Sequence, residues 1–194
     1  MQPMSQLRSR TVVLATRDID TDQIIPARFL TATSRAGFGA QLFYDLRFNK
    51  DGSPNVEFAL NQPGADGCEV LVAGNNFGCG SSREHAVWAL LDYGIRAVIS
   101  TGIADIFRNN GLKNGLLPIV VDAETHQWLL QHPGTEVAID VARATLQFAG
   151  DRCVEFPIDQ FARYCLLEGI DQLGFLRQRL PDIELYERHR TWTP

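Results

Sequence analysis

Val70-Leu71-Val72-Ala73-Gly74-Asn75-Asn76-Phe77-Gly78-Cys79-Gly80-Ser81-Ser82-Arg83-Glu84-His85-Ala86-Val87-Trp88-Ala89-Leu90-Leu91 is the stretch whose reading decides the fold. Val70 to Ala73 is a short continuous apolar run, the pattern of a strand buried on both faces. From Ala86 to Leu91 the apolar residues follow a helical pattern, and Gly94 stands where a helix end favours a left-handed residue. Between them, three glycines in seven residues (Gly74, Gly78, Gly80) permit a tight path with positive φ. Strand, glycine-rich loop and helix in that order predict an α/β unit. If the strand is parallel, the loop lies at its carboxyl end, where open α/β sheets bind ligands. Two hydroxyls, a guanidinium, a carboxylate and an imidazole follow one another from Ser81 to His85.

Each of these residues also has a purely structural explanation. Ser81 and Glu84 have the spacing of a capping box, with serine at the N-cap and glutamate three residues on. Arg83 then falls in the first helical turn, where the positive end of the helix dipole disfavours a cation. An anion in front of it would resolve that conflict, because helix N–H groups and a guanidinium together cradle a carboxylate or phosphate. Taken alone, His85 reads as a packed histidine and Cys79 as a small buried thiol.

Outward on the N-terminal side, Arg10 to Ala15 reads as a strand running into Asp18-Ile19-Asp20-Thr21-Asp22-Gln23-Ile24-Ile25-Pro26. Its aspartates fit a solvated turn or an Asx cap, although Ile24-Ile25-Pro26 looks buried and would hold Thr21 and Asp22 in place. Residues 31–66 are the least regular part. They mix aromatics with single charges and contain the turn chemistry of Asn49-Lys50-Asp51-Gly52-Ser53-Pro54 and Asn61-Gln62-Pro63-Gly64. So long a weakly patterned segment is expected to be functional or mobile rather than core.

On the C-terminal side, Ile95 to Ile99 is a second buried strand, 104–108 a short helix and Leu117 to Val121 a third strand. Hairpin-like alternation follows in 136–141, 145–148 and 153–156, with Gly150-Asp151 as one turn. Asp159 is placed to cap a helix that Gly169 stops, and a polar helix over about 181–190 looks peripheral. The reading is one α/β domain over 1–194, part parallel and part antiparallel. Residues 37–66 form a substrate or docking insertion within it, and 181–194 a peripheral C-terminal helix.

Bulk properties narrow the function. A chain of 194 residues can bury a core of its own. Net charge is −5 with no basic run, so a nucleic-acid partner has no electrostatic footprint. No run of 18 apolar residues marks a membrane span, and the N-terminal residues carry no secretory signature, so the expected location is cytoplasmic. The four cysteines (Cys68, Cys79, Cys153, Cys165) include no C-x-x-C pair, which argues against a zinc or self-contained iron–sulfur site. Cys68 and Cys153 sit in strand patterns.

Asn76-Phe77-Gly78-Cys79-Gly80-Ser81-Ser82-Arg83-Glu84-His85-Ala86 resembles the signature of the swivelling domain of the aconitase superfamily. Asp20-Thr21-Asp22-Gln23-Ile24-Ile25-Pro26, Gly37-Phe38-Gly39 with Leu46-Arg47-Phe48, and the 104–118 stretch are similar to further motifs of its 3-isopropylmalate dehydratase small-subunit family. The resemblance covers nearly the whole chain. It implies a swivelling β/β/α-type domain with mixed parallel and antiparallel strands. It also implies a hydro-lyase that interconverts 2- and 3-isopropylmalate through an alkene in leucine biosynthesis. Its other expectations are a large partner subunit bearing a 4Fe-4S cluster, a small diacid substrate, and no metal or cofactor bound by this chain. Carried over by position, Ser81 becomes the proton-abstracting base and Ser82 a pocket residue. Arg83 becomes the substrate-carboxylate anchor, and Asp22 the catalytic carboxylate that pairs with a histidine of the partner. Arg47 becomes a candidate for substrate binding and specificity.

Other readings stay open at this point. Sister hydro-lyases act on citraconate, dimethylmalate or homocitrate-type diacids. A phosphate-binding module could use the glycine-rich loop, although no Walker lysine follows and the third glycine of a dinucleotide fingerprint is absent. A cysteine enzyme would use Cys79 as nucleophile with His85 as base.

Overall fold

The computed structural model describes residues 1–30 and 37–190. The parallel half of its sheet comprises β1 (Gln6–Leu14), β2 (Val70–Ala73), β3 (Ala97–Ser100) and β4 (Leu117–Val120). The antiparallel half adds β5 (Glu136–Asp140), β6 (Thr145–Phe148) and β7 (Arg152–Glu155). The order across all seven strands is β4-β3-β2-β1-β5-β6-β7. The helices are α1 (Thr21–Ile24), α2 (Tyr44–Arg47), α3 (Glu84–Tyr93), α4 (Asp105–Asn114), α5 (Ala123–Gln131), α6 (Gln160–Glu168), α7 (Gln172–Gln178) and α8 (Leu180–His189). This is the mixed α/β fold expected from the sequence.

β1 joins the two halves. Its Thr11–Leu14 end runs parallel to β2, and its Gln6–Arg10 end runs antiparallel to β5. β2 and β3 are buried at every position, as strands covered on both faces must be. Side-chain alternation splits the core in two. Leu71, Ala73 and Val98 face one cluster with Ala86, Leu90 and Phe107, whereas Val70, Val72, Ala97 and Ile99 face another with Leu129 and Val137.

The 37–66 segment differs from expectation, because much of it is core. Phe38, Leu42, Phe43, Phe58 and Leu60 all lie in the first cluster. Its backbone is a chain of short turns, including the 3-10 turns Gly39–Gln41, Ala59–Asn61 and Pro63–Ala65, so its buried residues follow neither helical nor strand periodicity. Its N-terminal part is fastened to α1 and α3. Phe43 N–H donates to Ile24 O (2.8 Å), and the N–H groups of Gly37 and Gly39 donate to one Asp92 carboxylate oxygen (3.0 and 2.7 Å). A Cβ on Gly39 would stand 2.7 Å from the Tyr93 nitrogen, so only glycine admits this approach.

Other boundaries also shift. The helix expected at 104–108 continues to Asn114, through Gly111, and ends where Gly115 adopts φ +93°. α5 has no counterpart in the sequence reading; Asp122 caps it by accepting from Thr125 N–H (2.8 Å). α7 is likewise unanticipated and is capped by Asp171. Cys153 lies in β7, but Cys68 lies in the turn before β2 rather than in a strand. α6 begins after its Asp159 cap and ends at Gly169, as expected. α8 lies on the surface with no buried residue, and residues 191–194 of the expected C-terminal region, like 31–36 of the irregular segment, are outside the described residues.

Candidate active site

The site is assembled where β1, β2 and β3 end. Asp18 N–H donates to Asn75 O (2.9 Å), and the Asn76 amide donates to the Asp18 carboxylate (2.8 Å), joining the loops after β1 and β2. Phe77 N–H donates to Gly102 O (3.0 Å) and Ala104 N–H to Phe77 O (3.0 Å), joining the loop after β3. Ser100 Oγ donates to Gly74 O (2.9 Å) beneath them. Gly78 has φ +73°, and a Cβ there would lie 2.3 Å from the Phe107 ring, so this glycine is required twice over.

The next residues run against α1. Thr21 N–H donates to Cys79 O (2.9 Å), and the Thr21 hydroxyl donates to Ser81 O (2.9 Å). Gly80, at φ +87°, passes with its Cβ position 3.3 Å from Asp20 Cβ. These constraints keep 80–82 out of the helix, and α3 starts only at Glu84. Arg83 occupies its N-cap with extended φ/ψ, and no side chain caps the first turn. The capping box expected at Ser81–Glu84 is therefore absent. One forms instead on α1, where Gln23 N–H donates to Asp20 Oδ1 (2.7 Å) and Asp20 N–H donates to Gln23 Oε1 (3.0 Å).

Four of the five candidate residues come together here. Ser81 and Ser82 are exposed on the loop, and Arg83 forms an ion pair through Nη1 with Asp22 Oδ1. The anion found in front of Arg83 is thus one of the chain's own carboxylates. Arg47 is used differently. Its guanidinium donates to Gly39 O (3.2 Å), Leu42 O (3.3 Å) and Asn61 Oδ1 (3.3 Å), and it lies 4.8 Å over the Tyr93 ring. It braces the 37–61 segment from within. That segment reaches α3 directly, since Phe38 meets His85 edge-on at 5.4 Å and His85 packs against Trp88 at 4.6 Å. His85 is thus the packed histidine that the sequence suggested.

Cys79 is half-buried beside two carboxylates. Burial pushes its thiol pKa up, and the charges of Asp20 and Asp18 push it further the same way. The environment opposes the thiolate that a cysteine nucleophile needs. No group of three or more His, Cys, Asp or Glu able to hold a metal exists among the described residues, and all four cysteines are unpaired.

Two residues important to the site's framework are not among the candidate site residues read from the sequence. Thr21 was visible only as part of a motif, and its hydroxyl contact spans 60 residues. His126, buried on the unanticipated α5, bonds through Nε2 to Ala73 O (2.8 Å), the last residue of the strand that launches the loop.

Residues 1–124 match the family model of the aconitase C-terminal domain. A 3-isopropylmalate dehydratase small subunit from Anaeromyxobacter dehalogenans is 56% identical over 98% of this chain and 100% of its own length. One from a Roseiflexus species is 55% identical over 98% of this chain and 95% of its own. Among solved structures, the 3-isopropylmalate dehydratase chain of Methanocaldococcus jannaschii matches with a TM-score of 0.68 at 27% identity, covering 94% of this chain and 99% of that one. With the family model, the structural match and this near-complete coverage in agreement, the chain belongs to the aconitase C-terminal domain family, in its 3-isopropylmalate dehydratase small-subunit branch.

Proposed function

We propose that this chain is the small subunit of a hydro-lyase that interconverts 2- and 3-isopropylmalate in leucine biosynthesis, with Ser81 as its proton-abstracting group. The observation that carries the assignment is the state of Ser81. Its side chain is exposed, and Arg83 rather than Ser81 holds the N-cap of α3, so helix capping makes no claim on the Ser81 hydroxyl. The uncapped N–H groups of α3 and the Arg83 guanidinium provide the positive surroundings that an alkoxide needs.

In this reading Arg83 holds a substrate carboxylate and Ser82 lines the pocket. Proton removal by Ser81 Oγ from the carbon next to the carbinol leaves an electron pair that forms the alkene as hydroxide departs. Return of the proton and of hydroxide to exchanged carbons completes the isomerisation. A serine is a weak base, and its positive surroundings supply the stabilisation that makes the step feasible.

The departing hydroxide requires a Lewis acid, which a four-iron, four-sulfur cluster on the large subunit would supply. This chain's own thiols do not fit a cluster. Cys68 and Cys165 are buried, Cys79 is half-buried, and Cys153 lies on the edge strand β7. The name shared by the relatives, small subunit, implies a larger partner, and Asp22 would meet a histidine of that partner once freed from Arg83. The four unpaired cysteines fit a reducing compartment, so the cytoplasm is the location this reading assigns. Among the described residues, no helix is long and apolar enough to cross a membrane. Residues 37–43 are fastened to both α1 and α3, and in this reading Arg47 acts on specificity by fixing the shape of the segment it braces.

Anaerobic co-purification with the large subunit, followed by assays on 2- and 3-isopropylmalate, citraconate, dimethylmalate and homocitrate, tests the assignment. Reversible turnover of the isopropylmalates by the complex and none by the lone chain is expected. Turnover by the lone chain, or preference for another diacid, would overturn it.

A further inference from the structure

We propose that Thr21 is a positioning residue for catalysis, and that its hydroxyl sets the place of Ser81 by holding the Ser81 carbonyl. The proposal rests on the assignment of Ser81 as the base. Thr21 is 2% exposed, yet it is polar and lies at the first residue of the four-residue helix α1. Its backbone N–H is already used on Cys79 O, so the hydroxyl contact to Ser81 O is a separate, second tether. Among the described residues it is the only hydrogen bond that reaches the backbone of 80–82. Gly80 bends this stretch at φ +87°, and α3 begins beyond it, so neither sheet nor helix pairing holds the Ser81 peptide.

α1 itself is firmly held. The Asp20–Gln23 capping box fixes its start, Ile25 N–H donates to Thr21 O (3.0 Å), and Ile24 and Ile25 are fully buried. Position is therefore passed from the core through α1 and the Thr21 hydroxyl to the Ser81 peptide. A reacting group displaced by about 1 Å can lose about 10²-fold in rate, so one missing tether on an exposed loop is enough to be seen. The effect belongs in kcat. In this reading carboxylate binding depends on Arg83, whose backbone is held at the N-cap of α3 rather than by the Thr21 hydroxyl.

The test uses the assembled two-subunit enzyme. Thr21→Val keeps the shape and removes the hydroxyl, Thr21→Ser keeps the hydroxyl, and Ser81→Ala is the reference. Thr21→Val is expected to lower kcat about 10–100-fold with KM unchanged, and Thr21→Ser to restore most of the loss. Melting of each complex separates placement from unfolding; if the valine variant does not assemble, Thr21→Ala against Thr21→Ser makes the same comparison. Wild-type kcat in a hydroxyl-free variant, or equal losses with and without the hydroxyl, would overturn the proposal while leaving Ser81 as the base. Full turnover by Ser81→Ala would instead remove the base assignment on which it rests.

Discussion

Arg83 and Asp22, 61 residues apart, form an ion pair that links the loop after β2 to the helix after β1. The Arg83 side chain is 18% exposed and that of Asp22 is 50% exposed. A pair open to water on one side contributes only about 0–1 kcal/mol. It is strong enough to orient the guanidinium but weak enough for another carboxylate to replace Asp22. In the proposed mechanism the same geometry would serve two states: a self-neutralised chain, and a substrate complex in which Asp22 is released toward the partner.

Arg83→Lys tests the exchange. Lysine keeps the charge but lacks the planar fork that can hold one carboxylate while releasing another. Loss of a charge-assisted bond of about 1.5–3 kcal/mol, present in both ground and transition states, should raise KM by about 10–100-fold with a smaller change in kcat. Steady-state kinetics of the assembled enzyme checks this, and unchanged KM and kcat would make Arg83 purely structural.

Much of the architecture was legible in the sequence because strands β2 and β3 and helix α3 announce themselves by composition and by the glycines around them. The 37–66 core was not legible. Phe38, Leu42, Phe43 and Phe58 are buried by a backbone of turns that carries no period. α5 was missed although Asp122 followed by Ala123-Glu124-Thr125 has the form of a helix start. At the site, the sequence singled out Ser81, Arg83 and Asp22, which the fold brings together, but it did not reveal the start of α3. The serine–glutamate spacing suggested a cap, and a tertiary contact from Thr21 together with the turn at Gly80 moved the helix two residues on. Nothing in a sequence window reveals a hydroxyl arriving from 60 residues away.

Cys79→Ser should retain near-normal turnover. The wild-type thiol is expected to resist iodoacetamide near neutral pH, since burial and its two aspartate neighbours raise its pKa and lower its thiolate fraction. Peptide mapping of the alkylated chain should find the exposed Cys153 modified first. Rapid, substrate-protected modification of Cys79 with loss of activity would revive the cysteine-nucleophile reading.

Asp122→Ala should destabilise the chain by about 1 kcal/mol at neutral pH through loss of the α5 cap. The Thr125 N–H, and then its hydroxyl, hold the Asp122 carboxyl below the usual carboxylate range. Because the folded-state pKa is the lower one, this contribution is complete above the unfolded value and disappears as pH falls through the folded value. Denaturant titrations should show the gap between wild type and Asp122→Ala closing in acid, whereas Asp122→Asn, which caps without titrating, should keep its stability.

Arg47→Met should lower stability by about 1–3 kcal/mol, because two carbonyls and Asn61 lose their donor. If the braced segment shapes the pocket, kcat/KM among diacids with different side chains should also shift, by no more than about 10–200-fold. Melting curves and a substrate panel check both effects, and a uniform loss across the panel would assign the segment to subunit docking instead.

Turnover by Ser81→Ala in the assembled enzyme is the most direct test of the account. Ser81 makes no capping contact, so the variant should fold and assemble normally, with KM little changed. Loss of a positioned general base should reduce kcat by about 10²–10⁴-fold. A folded, assembled Ser81→Ala enzyme that isomerises isopropylmalate at the wild-type rate would contradict the account.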